Sequence, residues 1–483
     1  MKKSIVKSLE SSISGEVYSQ KGLRDFYSVD SSSYQIIPKV IVIPKDEKDI
    51  IRTIQIARDF NSSVTVRGAG TGLVGSALNN GIILDLKKFN SLKITKNSVI
   101  VGPGVFKGHL DKKLEEYNKF FPPNPSIGSF CSVGGMIGNN SSGSRSLKYG
   151  SVIDNVAEIT FIDGNGNKIT LPKNIKVSKK ILELSKKIDV KKFPNVTKNS
   201  SGFRIDKIKS IGDSHKIIVG SEGTLGIVLS IKLKIRDNPK KRVLFIIEYK
   251  SIIDASMNCI KINKTNPSAI EFVDKTTLKQ INYKFSPKTK CLLFVEYDEN
   301  IKLNEKKLPS IVTGKIVKNL KKDFEINAWW RYRDSSLYYS LKSIKKDERI
   351  PHIIEDAAVP LEKLSEIFRI LKKLNKKYKT KSIAYGHAGN GNIHVRLISK
   401  NKETAIIKKI AQEYFDEIIQ LGGTITAEHG DGLARSEFVK KQYGNENYKI
   451  FKEIKLYFDP KRILNPGKII TEKSTIIKNF EKF

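Results

Sequence analysis

From residue 38 onward, the apolar positions alternate between the two-residue period of a strand and the 3.6-residue period of a helix. The continuous apolar run Val40 to Ile43 predicts a buried strand. Between Asp46 and Phe60 the apolar residues recur at helical spacing with acidic residues in the first turn, which predicts a helix. Val64 to Val66 predicts the next strand, and Ile227 to Ile235 alternates apolar and polar residues as a half-buried strand does.

The second half of the chain has the same mixed character. Turn-forming and charged residues cluster at residues 237–241 and predict a domain boundary. Beyond it, the runs RVLFIIEYK and CLLFVEYDE predict strands, and helices are predicted at about residues 361–378 and 403–421. The predicted organisation is α+β, with an N-terminal helical segment at residues 1–37, a first domain at 38–238, a second domain at 239–470 and a tail at 471–483.

A glycine-rich loop, RGAGTGLVG, follows the strand at Val64. Its glycine spacing does not match a Rossmann dinucleotide loop, and no Gly-Lys-Ser/Thr sequence closes it as in a Walker loop. Successive glycines let backbone N–H groups turn toward a phosphate, and Arg67 adds a positive charge beside them. An anion site and an ordinary tight turn both remain open for this loop.

The segment at residues 122–151 is nearly free of regular periodicity and dense in glycine, serine and asparagine. Long segments of this kind inside a compact domain are usually functional or disordered. Its isolated apolar residues favour packing, so we expect a buried wall of backbone donors; they are Ile127, Phe130, Val133 and Met136. A third glycine-rich piece lies at residues 220–226. Three such pieces predict one extended ligand rather than a single phosphate.

The stretch YGHAGNGNIHVRL places two histidines around an Asn-Gly pair. Asn390-Gly391 is a favoured two-residue hairpin turn. In that register His387 and His394 would stand directly opposite, with Cβ atoms roughly 5 Å apart. Strand alternation would put Arg396 on the face of His394. The pair suits one metal ion, although histidines on a sheet face are more often hydrogen-bonded structural residues.

Composition and charge narrow the classes of function. The net charge of +37 is mostly dispersed lysine, which indicates a composition bias rather than a nucleic-acid-binding stripe, although it could favour an anionic lipid surface or an acidic redox partner. The three cysteines lie far apart and form no iron–sulfur motif, as expected of a reducing cytoplasm. We expect neither a signal peptide nor a membrane span, because the first residues have no apolar core and apolar runs are short.

Eight segments in one order resemble the vanillyl-alcohol-oxidase, or PCMH-type, FAD-binding fold. Within it they are most similar to the FAD-linked 2-hydroxy-acid dehydrogenases and oxidases, a group that includes the glycolate oxidase flavin subunit, D-lactate dehydrogenase and D-2-hydroxyglutarate dehydrogenase. The segments are IVIPKDEKDI, RGAGTGL, CSVGGMIGNNSSG, VGSEGTLGIV, EDAAVP, GHAGNGNIH, TAEHGDG and DPKRILNPGK. The resemblance implies a PCMH-type FAD-binding domain of two subdomains, followed by an α+β substrate domain with an antiparallel sheet.

The resemblance also implies which residues bind FAD, chiefly those of the three glycine-rich segments. They are Arg67, Gly68, Ala69, Gly70, Thr71, Gly72, Leu73, Pro122, Ser132, Val133, Gly134, Gly135, Gly138, Asn139, Ser142, Gly143, Glu222, Gly223, Gly226, Ile227 and Asn465. Asn465 begins an Asn-Pro-Gly sequence that either returns to the flavin or forms a plain turn.

In metal-containing members of the group, two hairpin histidines and the glutamate of a later Glu-His pair bind zinc. Here these would be His387, His394 and Glu428, with His429 as the catalytic base. The ligand types indicate a divalent metal ion and favour zinc, although manganese or iron could bind the same ligands. Adjacent residues on a straight strand point to opposite faces, so the chain must bend at residues 427–432 for both Glu428 and His429 to reach the site.

The resemblance assigns the substrate carboxylate to an arginine. Arg333 matches a Trp-x-x-Arg substrate segment, and Arg331 is its competitor. Arg396 would contact a second acidic or polar group of the substrate, or else be a surface arginine paired with a glutamate. A guanidinium suits the first role because it can bind a carboxylate through two parallel hydrogen bonds.

The implied reaction is oxidation of a 2-hydroxy acid of the glycolate, D-lactate or D-2-hydroxyglutarate type to the 2-oxo acid, with hydride transfer to flavin N5. Electrons would leave to a separate acceptor other than NAD: an iron–sulfur subunit, an electron-transfer flavoprotein, a cytochrome or a quinone. The expected location is cytoplasmic, with peripheral contact to the inner face of the membrane left open, and no nucleic-acid partner is expected. The alternatives are an ether-lipid synthase of the same fold and a zinc hydrolase of phosphorylated substrates.

Overall fold

The computed structural model describes residues 4–278, 281, 283–342, 344–400, 404–476 and 480. Its strands are β1 (Glu16–Tyr18), β2 (Val40–Ile43), β3 (Val64–Arg67), β4 (Ile82–Asp85), β5 (Leu92–Ile94), β6 (Ser98–Val101), β7 (Lys119–Phe120), β8 (Val156–Ile162), β9 (Lys168–Leu171), β10 (Ile227–Lys234), β11 (Arg236–Asp237), β12 (Val243–Tyr249), β13 (Ala269–Asp274), β14 (Cys291–Tyr297), β15 (Lys315–Leu320), β16 (Lys381–Gly386) and β17 (His394–Ile398). Its helices are α1 (Ile5–Glu10), α2 (Lys21–Phe26), α3 (Glu47–Asp59), α4 (Lys107–Glu115), α5 (Val133–Asn139), α6 (Ser146–Tyr149), α7 (Val152–Asn155), α8 (Ile175–Ser185), α9 (Ile252–Asn263), α10 (Lys275–Leu278), α11 (Ile301–Ile311), α12 (Asp323–Asp334), α13 (Ser336–Lys342), α14 (Leu364–Tyr378), α15 (Thr404–Gln420) and α16 (Gly432–Phe458).

The first domain contains two larger sheets and a two-stranded antiparallel pair, β7 with β11. In one, β2, β4 and β3 are parallel, and β1 pairs antiparallel with β2 at its edge. In the other, β5, β6, β10, β8 and β9 are antiparallel neighbours in that order. Helix α3 lies within one residue of its predicted bounds, because the Asp46 side chain caps its first turn by accepting two backbone hydrogen bonds. The N-terminal segment differs from the helical prediction by adding β1, which covers the otherwise unpaired edge of β2.

The second domain is built on a six-stranded antiparallel sheet in the order β15-β12-β14-β13-β16-β17. Strands β12 and β14 are the predicted apolar runs, and both are buried along their whole length. Helix α14 matches the prediction after a short 3-10 turn. Helix α15 begins at Thr404, and residue 403 of the prediction lies outside the described residues. This sheet places the histidine-bearing hairpin against the first domain, where the Ser146 hydroxyl donates to Oδ1 of Asn390 at 3.2 Å.

The segment at residues 122–151 contains more regular structure than predicted. Helix α5 forms because the Ser132 hydroxyl caps it by accepting the Gly135 N–H, and the helix ends at Asn140 in the left-handed region. Val133 and Met136 are buried as expected. Ile127 and Phe130 are 44% and 67% exposed, which corrects the expectation that all the apolar residues of this segment pack inward.

The hairpin at residues 385–397 has a different register from the predicted one. Tyr385, not His387, pairs with His394, and a 3-10 turn at Ala388–Asn390 replaces the two-residue turn. The cause is a competing partner, because the backbone of residues 391–395 hydrogen-bonds to residues 355–359 instead. The two imidazoles nevertheless meet, with their Nε2 atoms 3.4 Å apart.

After α16 the chain returns to the first domain. Leu464 forms a parallel bridge with Val64, and Asn465 N donates to the Val64 carbonyl. The Asn465 side chain donates to the carbonyls of Ser76 (2.9 Å) and Glu222 (2.7 Å), so it joins two of the glycine-rich segments. In the part of the chain that the structure describes, no helix has both the length and the apolar character needed to cross a bilayer.

A buried ion pair joins the two domains. Arg145 donates from Nε and Nη2 to the two carboxylate oxygens of Glu296 at 2.6 and 2.8 Å, and Trp330 donates to the same carboxylate at 2.8 Å. Glu296 is fully buried. Burial raises the pKa of Glu296, but the positive charge of Arg145 outweighs burial and keeps this pKa below its ordinary value. The pair fixes the segment that carries Ser142 against the second domain.

We expect Arg145→Met to lower the free energy of unfolding by about 3 kcal/mol, because it leaves the buried Glu296 carboxylate with only the more distant Arg242, at 3.8 Å, as a charge partner. Urea denaturation measures this change. The control is Lys21→Met, since the Lys21 side chain is 90% exposed in its pair with Asp25 and such pairs contribute little. If both substitutions lowered the free energy of unfolding equally, the buried interdomain pair would contribute no more to stability than an exposed pair.

Candidate active site

A cavity of about 650 Å³ is lined by both domains. Sixteen of the residues predicted to bind a cofactor lie on its wall: Arg67, Gly68, Ala69, Gly70, Thr71, Gly72, Leu73, Ser132, Gly134, Gly135, Gly138, Asn139, Ser142, Glu222, Gly223 and Gly226. The second domain contributes Arg333, His352, Tyr385, His387, His394, Arg396, Glu428 and His429 to the same wall. The fold therefore brings the three glycine-rich segments and the predicted metal and catalytic residues together.

Five predicted cofactor residues are not on this wall: Pro122, Val133, Gly143, Ile227 and Asn465. Val133 and Ile227 are wholly buried in the hydrophobic cores. Gly143 closely approaches the backbone of Asn124, where an added Cβ would lie 2.1 Å from the carbonyl oxygen. Their positions support the wall from behind rather than forming it.

The wall offers space and charge for an extended anionic cofactor. A Cβ added to Gly72 or Gly138 would meet no heavy atom of the described residues closer than 3.8 Å. Arg67 donates from Nη2 to the Val29 carbonyl at 2.8 Å, while its buried Nη1 has no hydrogen-bond partner among residues 4–278 and the other described ranges. Open backbone beside an unsatisfied guanidinium suits a pyrophosphate.

Three side-chain atoms converge at the second-domain part of the wall. His387 Nε2 lies 3.0 Å and His394 Nε2 lies 3.1 Å from Oε1 of Glu428. With the 3.4 Å between the two nitrogens, this triangle fits a tetrahedral ion, whose ligand atoms lie about 3.4 Å apart at bonds of ~2.1 Å. Burial lowers the pKa of His394 to about 4, so its imidazole is neutral at pH 7 as a ligand must be.

Buried partners orient these three ligands. Nδ1 of His387 lies 2.8 Å from Oε1 of Glu271, which leaves Nε2 as the free ligand atom. Lys198 donates to Oε2 of Glu428 at 2.8 Å, and the Ser142 hydroxyl donates to the same oxygen. Burial raises the pKa of Glu428, but Lys198 and His387 outweigh it and hold the carboxyl well below its usual range. Only Oε1 of Glu428 is therefore directed at the two histidines.

A second grouping of ligand atoms overlaps the first. One atom from each of Asp356, His394, Glu428 and His429 lies within 4.8 Å of the others. Oδ2 of Asp356 is already occupied, because it accepts the backbone N–H groups of Ala427, Glu428 and His429 and the Thr426 hydroxyl. These bonds produce the bend that lets Glu428 and His429 reach one cavity, and Gly430 and Gly432 continue it at φ +86° and +49°.

His429 is held by a carboxylate on one side of its ring. Nδ1 lies 2.7 Å from Oε1 of Glu355, and Arg435 donates to the same oxygen at 2.7 Å. The ring stacks on His394 with an interplanar angle of 13°. Burial opposes the charged imidazole, but Asp356 and Glu355 outweigh it and raise the pKa of His429 to about 9. Nε2 is the nitrogen left for a reacting proton.

Two arginines flank Tyr385 on the wall. Arg333 is buried and donates from Nε to Oε2 of Glu271 at 2.6 Å, whereas Arg331 is exposed. Arg396 is only 1% exposed, donates to the Tyr385 hydroxyl at 3.0 and 2.9 Å, and lies 3.3 Å from Glu355. Arg396 is therefore paired with a glutamate, but inside the cavity wall rather than on the surface.

The buried residues that support the site were not predicted from sequence. Glu271 lies between apolar residues in AIEFVD, and a carboxylate inside a buried strand was the available signal. Glu355 and Asp356 begin the EDAAVP segment, but no role was predicted for either carboxylate. Lys198 has no local signal, because its partner Glu428 lies 230 residues away in sequence.

Two protein families match the two domains of the chain. A FAD binding domain matches residues 38–171, and the C-terminal domain of FAD linked oxidases matches residues 238–469. The chain is 28% identical to glycolate oxidase subunit GlcD of Bacillus subtilis over 467 residues, covering 92% of each chain. It is 27% identical to D-lactate dehydrogenase of Archaeoglobus fulgidus over 469 residues, covering 92% of this chain and 96% of the relative.

A third relative is longer. D-2-hydroxyglutarate dehydrogenase of Haemophilus influenzae is 28% identical over 527 residues, covering 95% of this chain but 50% of the relative. Among solved structures, alkyldihydroxyacetonephosphate synthase superimposes with a TM-score of 0.70 at 16% identity, covering 96% of this chain and 85% of that chain. The expected PCMH-type FAD-binding fold is thereby confirmed. The two matched domains cover most of the chain, and we conclude that it belongs to the FAD-linked oxidases and has 2-hydroxy-acid dehydrogenases among its relatives.

Proposed function

We propose that the protein oxidises a 2-hydroxy acid to the 2-oxo acid, using FAD bound along the three glycine-rich segments. The observation that carries this proposal is the shared wall, on which the cofactor segments face a three-ligand cluster and an oriented histidine. FAD, when bound, supplies a two-electron acceptor. The zinc-hydrolase alternative gives no reason for a FAD-binding domain in this chain.

The proton of the substrate hydroxyl goes to His429 Nε2. Glu355 orients the imidazole through Nδ1 and stabilises it once it is protonated. Arg333, fixed by Glu271, binds the substrate carboxylate, since a guanidinium forms parallel hydrogen bonds with a planar carboxylate. Arg396 contacts a second polar or acidic group on the substrate, and it reaches the cavity from beside Tyr385.

We assign the metal to His387, His394 and Glu428 rather than to the set that contains Asp356, because the three ligand atoms lie only 3.0 to 3.4 Å apart. In Asp356, Oδ2 already accepts four hydrogen bonds and Oδ1 lies 3.7 Å from Nδ1 of His394. A divalent cation held there, zinc by its ligand types, supplies Lewis-acid stabilisation of negative charge on the substrate. His429 has a pKa of about 9 beside its carboxylates. For His429 to act as a base at neutral pH, its pKa must be lower than this. A cation held by the neighbouring ligands would lower it, because a nearby positive charge disfavours the protonated imidazole.

A single anaerobic turnover tests the reaction. Mixing the FAD-loaded protein with its 2-hydroxy acid should give one 2-oxo acid for each FAD reduced. A synthase of the same fold would return oxidised FAD with no 2-oxo acid, and that result would remove the dehydrogenase proposal.

Gly72→Leu should weaken FAD binding by at least ~10-fold while the fold is kept. The Cβ of the new side chain lies no closer than 3.8 Å to the nearest described atoms, and the side chain extends into the space we assign to the cofactor. Reconstitution of the apoprotein, followed by the change in flavin fluorescence, measures the affinity. Gly22→Leu is the matched control, because Gly22 also has open space around it but lies away from the cavity wall. Normal FAD binding by Gly72→Leu would place the cofactor elsewhere.

We further propose that the electrons leave to a separate acceptor, of the iron–sulfur, electron-transfer flavoprotein, cytochrome or quinone type. The three cysteines support this, because all three are buried and are fewer than the four thiolates that hold an iron–sulfur cluster. A cytoplasmic location, with peripheral contact to a membrane carrying a quinone, is consistent with the basic composition.

A further inference from the structure

Glu271 contacts two parts of the site that have different chemical tasks. It lies on the buried strand β13 and is fully buried itself. Oε1 lies 2.8 Å from Nδ1 of His387, and Oε2 accepts from Nε of Arg333 at 2.6 Å. Nη2 of Arg333 also lies 2.6 Å from that Oε2. One carboxylate thus joins a metal-ligand histidine to the arginine assigned to the substrate.

The two contacts use different oxygens, so they form at the same time. The contact at Oε1 fixes the His387 tautomer with the proton on Nδ1, which leaves the Nε2 lone pair directed at Glu428 and His394. The contact at Oε2 holds the Arg333 guanidinium beside the Tyr385 ring, 5.6 Å from its centroid. Neither His387 nor Arg333 can reorient without breaking a buried hydrogen bond to the same carboxylate.

We propose that Glu271 is a positioning residue that sets both the affinity of the metal site and the affinity for the substrate carboxylate. The predicted effect of Glu271 on substrate affinity rests on the proposed function. The predicted effect on metal affinity depends only on the contact between Glu271 and His387. Hydrogen-bonded carboxylates behind a ligand histidine raise metal affinity by ~10- to 100-fold. A charge-assisted bond that orients an arginine contributes at least ~10-fold to ligand binding.

The variant Glu271→Gln keeps the size of the side chain and removes its charge. Two readouts are measured on the FAD-loaded protein: the zinc dissociation constant by competition with a chromogenic chelator, and the dissociation constant of a 2-oxo acid by perturbation of the flavin spectrum. We expect zinc binding to weaken ~10- to 100-fold and 2-oxo acid binding to weaken at least ~10-fold. Arg333→Lys, which keeps a charge for Glu271 but loses the planar fork, should weaken only the 2-oxo acid.

The control is Glu248→Gln. Glu248 is a nearly buried carboxylate on β12 of the same sheet, hydrogen-bonded by Ser286 and Thr289 and absent from the cavity wall. It should change neither constant. Zinc affinity of Glu271→Gln within twofold of wild type, equal losses in Glu248→Gln, or a wild-type protein that binds no divalent metal would each overturn the proposal. If zinc affinity falls as expected but no 2-oxo acid binds even the wild type, the proposed function fails while the positioning of His387 by Glu271 stands.

Discussion

His429→Ala should abolish reduction of the flavin by substrate while FAD stays bound. His429 lies on the cavity wall outside the proposed metal set, and its Nδ1 is fixed 2.7 Å from Oε1 of Glu355. Alanine leaves the hydroxyl proton with no acceptor, and loss of a positioned base costs ~10²- to 10⁴-fold in rate. The fold should survive, because Glu355 keeps its pairs with Arg435 and Arg396.

Stopped-flow absorbance under anaerobic conditions measures the rate of this reductive half-reaction. His109→Ala is the matched control, since His109 is exposed and lies away from the cavity wall. Its rate should equal that of the wild type. A rate for His429→Ala within about tenfold of wild type would remove His429 as the base, because that loss is smaller than general-base catalysis contributes.

Glu428→Gln should empty the ligand cluster and stop turnover. It removes the oxygen charge that faces both histidines at 3.0 and 3.1 Å, and it leaves Lys198 as an uncompensated positive charge beside the site. Both changes repel a cation. We expect metal affinity to fall at least ~100-fold, since the loss of outer hydrogen bonds alone can reach that size.

Elemental analysis of the purified protein gives the ratio of metal to FAD. We expect close to one metal for each FAD in the wild type and almost none in Glu428→Gln. Glu158→Gln provides the control, because Glu158 pairs with the exposed Lys173 and is not on the cavity wall. Full metal content in Glu428→Gln would show that the ion does not depend on Glu428 and is held by other side chains, such as Asp356, His394 and His429.

Local pattern was sufficient to predict the elements that build the first domain. The strand Val40–Ile43 and the helix Glu47–Asp59 lie where apolar period and capping indicate, because both depend on neighbours in sequence. The predicted register of the hairpin was wrong because it depends on residues far away in sequence. Its turn residues favour a two-residue loop, but pairing of residues 391–395 with 355–359 is a long-range interaction that a turn rule does not contain.

The candidate site divides in the same way. Most of the residues that face the cavity came from the motifs and the hairpin pattern, whereas two of the charges that orient them, Glu271 and Lys198, came only from the structure. Glu271 and Lys198 contact His387 and Glu428 across 116 and 230 residues of sequence. No periodicity records such partners, because a buried charge is satisfied by whichever opposite group the fold brings near it.

We propose that FAD, the metal ligands and the substrate share one cavity, and the visible spectrum of the FAD-loaded protein tests this arrangement. The spectrum is followed anaerobically during titration with D- and L-2-hydroxy acids, before and after removal of metal with a chelator. We predict that one acid bleaches the oxidised flavin band, that chelation prevents the bleaching, and that zinc restores it. Flavin that stays oxidised with every acid in the metal-loaded protein, or bleaching unchanged by complete removal of the metal, would show that FAD, metal and substrate do not share this cavity.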